Sequence, residues 1–533
     1  MEDSFKIVGE YGNYQNHIKI ILLSCAFLTD IYSLQIGLML KLPKIKIIEK
    51  NLLKNNEKIY NTPSLDMFLY FNLTNIDKQY CDKKKYLIEI DNSTSLKNWN
   101  YNFMYFCENS WYNIIIIISL ILGTIFGFIF LSPLADRIGR EKIFKYSMIL
   151  SSFLHLNLFF CLNSFHLILI NFVGGLNSFI YALSILCIIE YLPIESNGIN
   201  IGIFNAMNPL YGIFLYLCLY KYDNWRNIFF ITSIINIFFA GYCWKHFLES
   251  PRWLYSIGEK IKCLSTLDKI SLYNRTLIEW NKYQKMNIEN ANRFGRASTN
   301  FTKLFNFEID HGELDQEPKG ISINDIFHFK SQIKIIAIIS ILCFISSFNL
   351  NGILILLFIN NNDYEHIFIL NLLLKIIIGV IAGYLCDNFG RKPIIMFGGL
   401  IGSICYYIFT ENNSDFFLLI SLICFQAIIV VLFIFIPENI PTPIRSTLNG
   451  WIFLIYKISP LFLELFYKVS NKEVFNYSII ISGLLVGLFA LMAKETLETT
   501  IPDIIPELKD KIESFEKFNL KSFHSTEYPS FLI

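Results

Sequence analysis

Along most of its length the chain alternates long apolar runs with short polar breaks. About twelve runs are long enough to cross a bilayer, each span needing roughly 20 apolar residues. They lie at 18–40, 111–133, 143–163, 165–192, 199–220, 226–247, 332–358, 364–386, 393–410, 415–437, 447–469 and 474–493. The first run is too long, starts too late and lacks the small-residue site of a cleavable leader, so it reads as a span. Two polar segments interrupt the series. One, at 41–110, parts the first two spans. The other, at 255–331, is mixed in charge and is expected to form amphipathic helices around a flexible centre near 290–320. The pattern therefore predicts an all-α membrane protein in two six-helix halves. An N-terminal segment 1–17 precedes the first half at 18–247 with its loop 41–110. A linker at 248–331 leads to the second half at 332–493 and a tail at 494–533.

Composition agrees with this and removes other classes. The chain is 53% hydrophobic, 16% aromatic and only 17% charged, against the quarter usual in soluble domains. A net charge of +1 gives no bulk field for nucleic acid. The short loops set the orientation. Arg137, Arg140, Lys142 and Lys145 follow the second span, and Arg391 and Lys392 the eighth. Positive residues stay inside, so both termini and the linker are expected in the cytoplasm. Lys41, Lys44, Lys46, Lys50, Lys54 and Lys58 run against that orientation, but the rule weakens in loops beyond roughly 60 residues. The outer segment carries two glycosylation sequons, Asn72-Leu73-Thr74 and Asn92-Ser93-Thr94, and two cysteines, Cys81 and Cys107. An oxidising space allows those cysteines to pair; two free thiols are the alternative. A third sequon, Asn274-Arg275-Thr276, falls inside.

The two halves repeat a set of motifs. The first reads Gly127-x8-Asp136-Arg137-Ile138-Gly139-Arg140, then Glu190-x2-Pro193, then Glu249-Ser250-Pro251-Arg252-Trp253-Leu254. The second reads Gly383-x3-Asp387-Asn388-Phe389-Gly390-Arg391, then Glu438-x2-Pro441, then Glu495-Thr496. In each, glycine allows a tight turn between helices. The aspartate can meet the positive N-terminal end of a neighbouring helix, and the arginines can pair with carboxylates across the mouth. Asp136, Arg137, Arg140, Glu190, Arg252, Asp387, Arg391, Glu438 and Arg445 are accordingly expected to form a latch that breaks when the bundle rocks. A plain basic turn is the alternative for a single copy.

Gly-x3-Asp-x2-Gly-Arg in both halves resembles the major facilitator superfamily, and Glu249-Ser250-Pro251-Arg252-Trp253-Leu254 resembles its sugar-porter and organic-ion branch. Further segments are similar to organic-ion transporters: Gly9-x2-Gly12-x2-Gln15, Trp225-Arg226, Glu438-x2-Pro441-Thr442-x2-Arg445, and Glu495-Thr496 followed by Ile501-Pro502-Asp503. The resemblance implies the major facilitator fold, alternating access and a central solute cavity. Asn197 departs from it, standing where an arginine would follow Glu190 and Pro193, which weakens one side of the latch.

Charges inside spans are expensive unless they face water or a partner. Asp30, Lys375, Lys457 and Glu464 are such charges. The resemblance places Lys457 where organic-ion carriers set the cavity charge of the eleventh span, basic in anion carriers. Lys375 lies one turn from the place of a second cavity lysine. Asn208, Asn349, Asn351, Gln426, Phe433 and Trp451 are further candidates to line the cavity, with helix–helix bonding as the alternative for the asparagines. Asp30 and Glu464 are the titrating candidates if a proton is coupled, or else counter-ions.

No nucleotide loop or metal-ligand spacing occurs in the sequence, so no enzyme site and no cofactor are expected. The expectation is a monomeric, multi-pass secondary transporter in a bilayer, the plasma membrane favoured, moving a small organic anion or zwitterion. A hexose porter, an organic cation transporter and a non-transporting nutrient receptor are the alternatives.

Overall fold

A computed structural model describes residues 2–28, 37–41, 43, 45–49, 58–60, 86–90, 95–105, 109–221, 224–293, 330–360, 364–412, 414–497, 499 and 501–502. Asp30, Cys81, Cys107, the two outer sequons and the centre of the linker lie outside the described residues.

The apolar runs fold as helices. A short helix α1 (Glu2–Val8) precedes the first span, α2 (Asn13–Leu28). The rest of the first half is α4 (Trp111–Ile138), α5 (Arg140–Phe159), α6 (Ser164–Tyr191), α7 (Asn197–Lys221) and α8 (Trp225–His246). The second half is α12 (Lys330–Asn360), α13 (Tyr364–Phe389), α14 (Arg391–Asn412), α15 (Asp415–Asn439), α16 (Arg445–Val469) and α17 (Lys472–Met492). Among the described residues, nine of these helices are long and apolar enough to cross a membrane by length and composition. The first span is only partly described, and α5 and α16 carry charge: Arg140, Glu141, Lys142 and Lys145 in one, Arg445, Lys457, Glu464 and Lys468 in the other. With these three the expected twelve are present; α2 and α5 begin about a turn earlier than hydropathy alone suggested, and the others within two residues of it.

The polar segments have structure of their own. Between the first two spans, β1 (Ile45–Glu49) pairs antiparallel with β2 (Lys58–Tyr60) and with β3 (Tyr86–Ile90), in the order β2-β1-β3 and with Ile45 opposite both Tyr60 and Ile90. A single turn of helix, α3 (Trp99–Phe103), follows. The linker opens with α9 (Pro251–Ser256), α10 (Lys260–Asn274) and α11 (Leu277–Arg293). Asn274 ties this linker to the N-terminus. Its amide donates to the Val8 and Gly9 carbonyls at 3.0 and 2.9 Å and to Gln15 Oε1 at 3.0 Å, while its Oδ1 accepts from the Tyr14 N–H at 2.8 Å. The Gly9, Gly12 and Gln15 motif thus has a packing reason, and Asn274 is committed to internal hydrogen bonds rather than to a glycan.

The halves meet most closely along α7 and α13. A Cβ on Gly202 would lie 2.4 Å from the Gly379 carbonyl oxygen, and one on Gly383 would lie 2.4 Å from that of Gly198. Small residues allow this approach because helices in lipid associate by backbone-level packing rather than by a hydrophobic drive. The counterpart of Gly383 in the first half is Ser132, four residues before Asp136, which packs on Gly450 of α16. The Gly127 of the sequence motif has a different place. It sits in a π-type turn of α4, Gly127–Leu131, against Leu176 of α6 in its own half.

Gly383→Leu is therefore expected to force α7 and α13 apart and lower the thermal midpoint in detergent, overpacking costing about 1–3 kcal/mol. Gly241→Leu, at a position where an added Cβ meets nothing within 4 Å, is expected to leave the midpoint unchanged. Equal shifts in the two variants would contradict the close-packed seam.

Candidate functional site

Every helix begins with backbone N–H groups that have no partner inside the helix. At the motif-bearing end of the bundle four such N-termini are packed inside the protein, and four carboxylates meet them. Asp136, at the end of α4, accepts from the N–H groups of Ser446 at 3.2 Å and Thr447 at 2.7 Å, and from the Thr447 hydroxyl at 2.7 Å. Those groups open α16, in the other half. Asp387, at the end of α13, returns the arrangement by accepting from Gly198 and Ile199 N–H at the start of α7, both at 2.8 Å. Within the halves, Glu249 accepts from the Arg140 N–H at 2.9 Å at the start of α5. Glu495 accepts from Arg391 and Lys392 N–H at 3.0 and 2.9 Å at the start of α14. The intervening turns hold Gly139 at φ 114° and Gly390 at φ 92°, the region that favours glycine. A Cβ on Gly139 would also strike the Glu249 carboxylate at 2.2 Å.

The arginines add a second layer. Arg140 is fully buried and meets Asp136 at 3.0 Å and Glu190 at 3.4 Å, and it donates across the halves to the Thr442 carbonyl at 2.8 Å. Glu190 also meets Arg445 at 3.1 Å, again across the halves. On the opposite side Arg391 forks onto both oxygens of Glu438, at 2.9 and 3.1 Å, and stands 3.7 Å from Asp387. Thr496 adds a hydroxyl to Glu438 at 2.6 Å. Glu190 thus holds two arginines, whereas Glu438 holds one, with buried Asn197 beside it where the repeat would place the second. Two of the expected latch residues have other surroundings. Arg137 is exposed, with no carboxylate within 4 Å among the described residues. Arg252 is buried with its guanidinium 5.3 Å over the Phe5 ring of α1.

The two caps that lie outside the spans are shifted in opposite directions. Burial pushes the Glu249 carboxyl up to about 7, only partly opposed by the Ser250 N–H and the Arg140 charge. Burial also raises Glu495, but the N–H groups of Arg391, Lys392, Leu497 and Thr496 outweigh it and hold that carboxyl below its usual value.

A second region lies between the halves, away from the latch. Ile117, Leu120 and Thr124 of α4 face Asn351 of α12 and Lys457 and Glu464 of α16 across a cavity of about 110 Å³. Pro460 positions this wall. It has no N–H to give the Tyr456 carbonyl four residues earlier, and the Ser347 hydroxyl of α12 donates to that carbonyl instead, at 3.0 Å. Lys457 and Glu464, seven residues apart, share a face two turns long. Glu464 is buried and meets Lys468 at 3.5 Å.

Beside this wall is a cluster of aromatics that crosses the halves. Phe433 stacks on Phe453 at 4.6 Å and lies edge-on to Tyr456 at 5.2 Å and to Tyr181 at 6.4 Å. Tyr181 packs on Phe204 at 4.9 Å and bonds to Asn205. Of these the sequence singled out only Phe433. Aromatics are too frequent in this chain, at 16%, for the others to stand out.

The remaining candidates are dispersed. Asn351 bonds back within α12 to the Ser347 carbonyl at 2.8 Å, and Asn349 accepts from Ser482 of α17 at 2.7 Å. Asn208 is buried in α7 next to Pro209; Lys375, Gln426 and Trp451 are half-buried in α13, α15 and α16, outside the lining of the cavity.

Residues 108–287 match the family model of the Major Facilitator Superfamily. Among curated proteins, Organic cation/carnitine transporter 6 of Arabidopsis thaliana is 23% identical over 72% of both chains. Putative transporter B0361.11 of Caenorhabditis elegans is 24% identical over 40% of this chain, and the match spans 37% of that protein. Among solved structures, the proton:xylose symporter XylE bound to 6-bromo-6-deoxy-D-glucose superposes with a TM-score of 0.57 at 17% identity, covering 92% of this chain and 98% of that one.

The uneven arginine count sets one expected outcome. Arg391→Leu strands Glu438 and should destabilise the protein by about 3–5 kcal/mol, as for a broken buried pair. Arg445→Leu leaves Glu190 with Arg140 and should cost less. Thermal midpoints of the two variants in the same detergent decide this, and an equal or reversed order would contradict it. The caps set another. The native protein binds the Glu249 proton more tightly than the unfolded chain does, so that group's stabilisation is full below its usual value of 4.5 and is lost as pH rises to about 7. Glu249→Gln should therefore gain on the native protein as pH rises through that window. Glu495 contributes in the opposite sense, its stabilisation being present above its usual value of 4.5 and lost as pH falls below it. Glu495→Gln should trail the native protein at neutral pH and converge with it in acid. Parallel midpoint-against-pH curves would contradict both.

Proposed function

We propose that this chain, a multi-pass membrane protein with the major facilitator fold, is a secondary transporter that moves a small zwitterionic or anionic organic solute by alternating access. The observation that carries the reading is the cavity between the halves with Lys457 in its wall, set apart from an end of the bundle where the two halves cap one another's helices. A cavity walled by both halves changes shape when the halves rock, and a latch made of breakable caps permits the rocking.

Lys457 supplies the charge that meets a carboxylate. The Tyr456 ring, in the wall of the same cavity, suits a quaternary or primary ammonium. Together the two features favour a zwitterion over a plain anion, in keeping with the words organic cation/carnitine in the description of a relative. Asn351 adds polar surface to the cavity wall, whereas Lys375, Asn208, Gln426 and Trp451 stand outside it in this state. Glu464 is the titrating candidate, its charge balanced by Lys468 in the present state. The positive turns at Arg137–Lys145 and Arg391–Lys392 put the latch in the cytoplasm, so the state described is closed on that side.

The test is uptake into proteoliposomes from a screen of labelled zwitterions, organic anions, organic cations and hexoses. A receptor that keeps the fold would bind without flux. With the transported solute in hand, Lys457→Ala should weaken its affinity about ten- to a hundredfold, since a unit charge about 4 Å from a carboxylate gains on the order of 4 kcal/mol before desolvation. Lys457→Arg should retain part of the transport and Lys457→Asp should favour cations. Flux of a neutral hexose that Lys457→Ala leaves intact would overturn the reading.

A further inference from the structure

The motif-bearing end holds a second cavity, separate from the one walled by Lys457. It is an open cleft of about 870 Å³, walled by the α4–α5 turn, by α9 and α10 of the linker, and by Ile444 and Thr447 of the second half. That volume lies within the roughly 300–1,000 Å³ of small-molecule sites.

Four carboxylates and four cations line it, but they are not equally committed. Asp136 is held by Arg140 and by the start of α16. Glu141 pairs with Lys145, Glu249 is taken by N–H groups of the α5 start, and Glu259 pairs with Lys262. Arg137, Lys142 and Lys269 remain, all exposed to the cleft, with no carboxylate within 4 Å among the described residues. Lys269 stands seven residues after Lys262 and four after Ser265, on the face of α10 that looks into the cleft. The acids of the cleft are satisfied and three of its cations are not, so its field favours an anion with several acceptor oxygens.

We propose that this cleft binds a phosphate group presented from the cytoplasmic side, through Arg137, Lys142 and Lys269, and that its occupant holds the cytoplasmic mouth shut. The second step follows from the walls. An occupant touches both halves only while Asp136 caps α16 and keeps Thr447 against the α4 turn. A ligand shifts an equilibrium by its differential affinity for the two states, so binding here favours the closed one. Inhibition of flux rests on the transport reading; binding does not.

The experiment is binding to the purified full chain, read as a thermal shift and by calorimetry, with ATP and inorganic phosphate as free probes. Nanodiscs with and without a phosphorylated phosphatidylinositol are the membrane-borne arm. ATP or phosphate should raise the midpoint of the native protein. Lys142→Gln and Lys269→Gln should each weaken binding about threefold, and together about tenfold, as expected for exposed ion pairs. A shift that appears only in the phosphoinositide nanodiscs and is lost in the double variant supports the same phosphate site with a lipid as its source. No binding of any probe at millimolar concentration, or binding that the double variant retains in full, overturns the proposal. In proteoliposomes, ATP on the latch side should lower flux of the native carrier and spare the double variant. Binding without an effect on measurable flux overturns the closing step alone, and absence of any flux in the native protein bears on the transport reading instead.

Discussion

The constraint on which the rest of this structure depends is that a helix N-terminus packed away from water must find acceptors for its N–H groups. The turn motifs answer it four times with a carboxylate, at the starts of α5, α7, α14 and α16. Two of the caps stay within a half and make it rigid. The other two cross between halves, Asp136 to α16 and Asp387 to α7, and make the halves reciprocal. The same chemistry therefore builds the rigid bodies and the joint between them. A joint of this kind is strong enough to define a closed state and is made of interactions that water can replace when the halves part.

The duplication is not symmetric in charge. Asn197 leaves Glu438 with a single arginine, while Glu190 keeps two. Burial pushes the Glu249 carboxyl up to about 7, while the N–H groups around the more open Glu495 hold it below its usual value. Three close arginine–carboxylate contacts hold the first-half cluster and two the second, where the Thr496 hydroxyl adds a charge-assisted bond to Glu438.

Hydropathy located the spans, including α5 and α16, whose charges make them less apolar than most of the other spanning helices. The partners of Asp136 and Arg140 were legible in kind, a helix end and carboxylates, because the repeat offered two independent copies of the same turn. What escaped the sequence depended on distance along the chain. Nothing local marks Asn274 as the residue that gathers Val8, Gly9, Tyr14 and Gln15, more than 250 positions away. The role of Ser132 as the counterpart of Gly383 was hidden by the nearby Gly127, which serves its own half. The short sheet at β1–β3 was missed because its strands are only three to five residues long and lie far apart within a polar, lysine-bearing segment. The aromatic cluster around Phe433 was hidden by the abundance of such residues.

The account stands or falls on the crossing caps. The most direct measurement is the distance distribution between spin labels placed on the latch ends of α4 and α16, and of α7 and α13, in the native protein and in Asp136→Asn and Asp387→Asn. The account predicts a short, single population in the native protein, and in each variant a longer population at the end that has lost its cap. Unchanged distributions in both variants would show that the carboxylates do not hold the halves together.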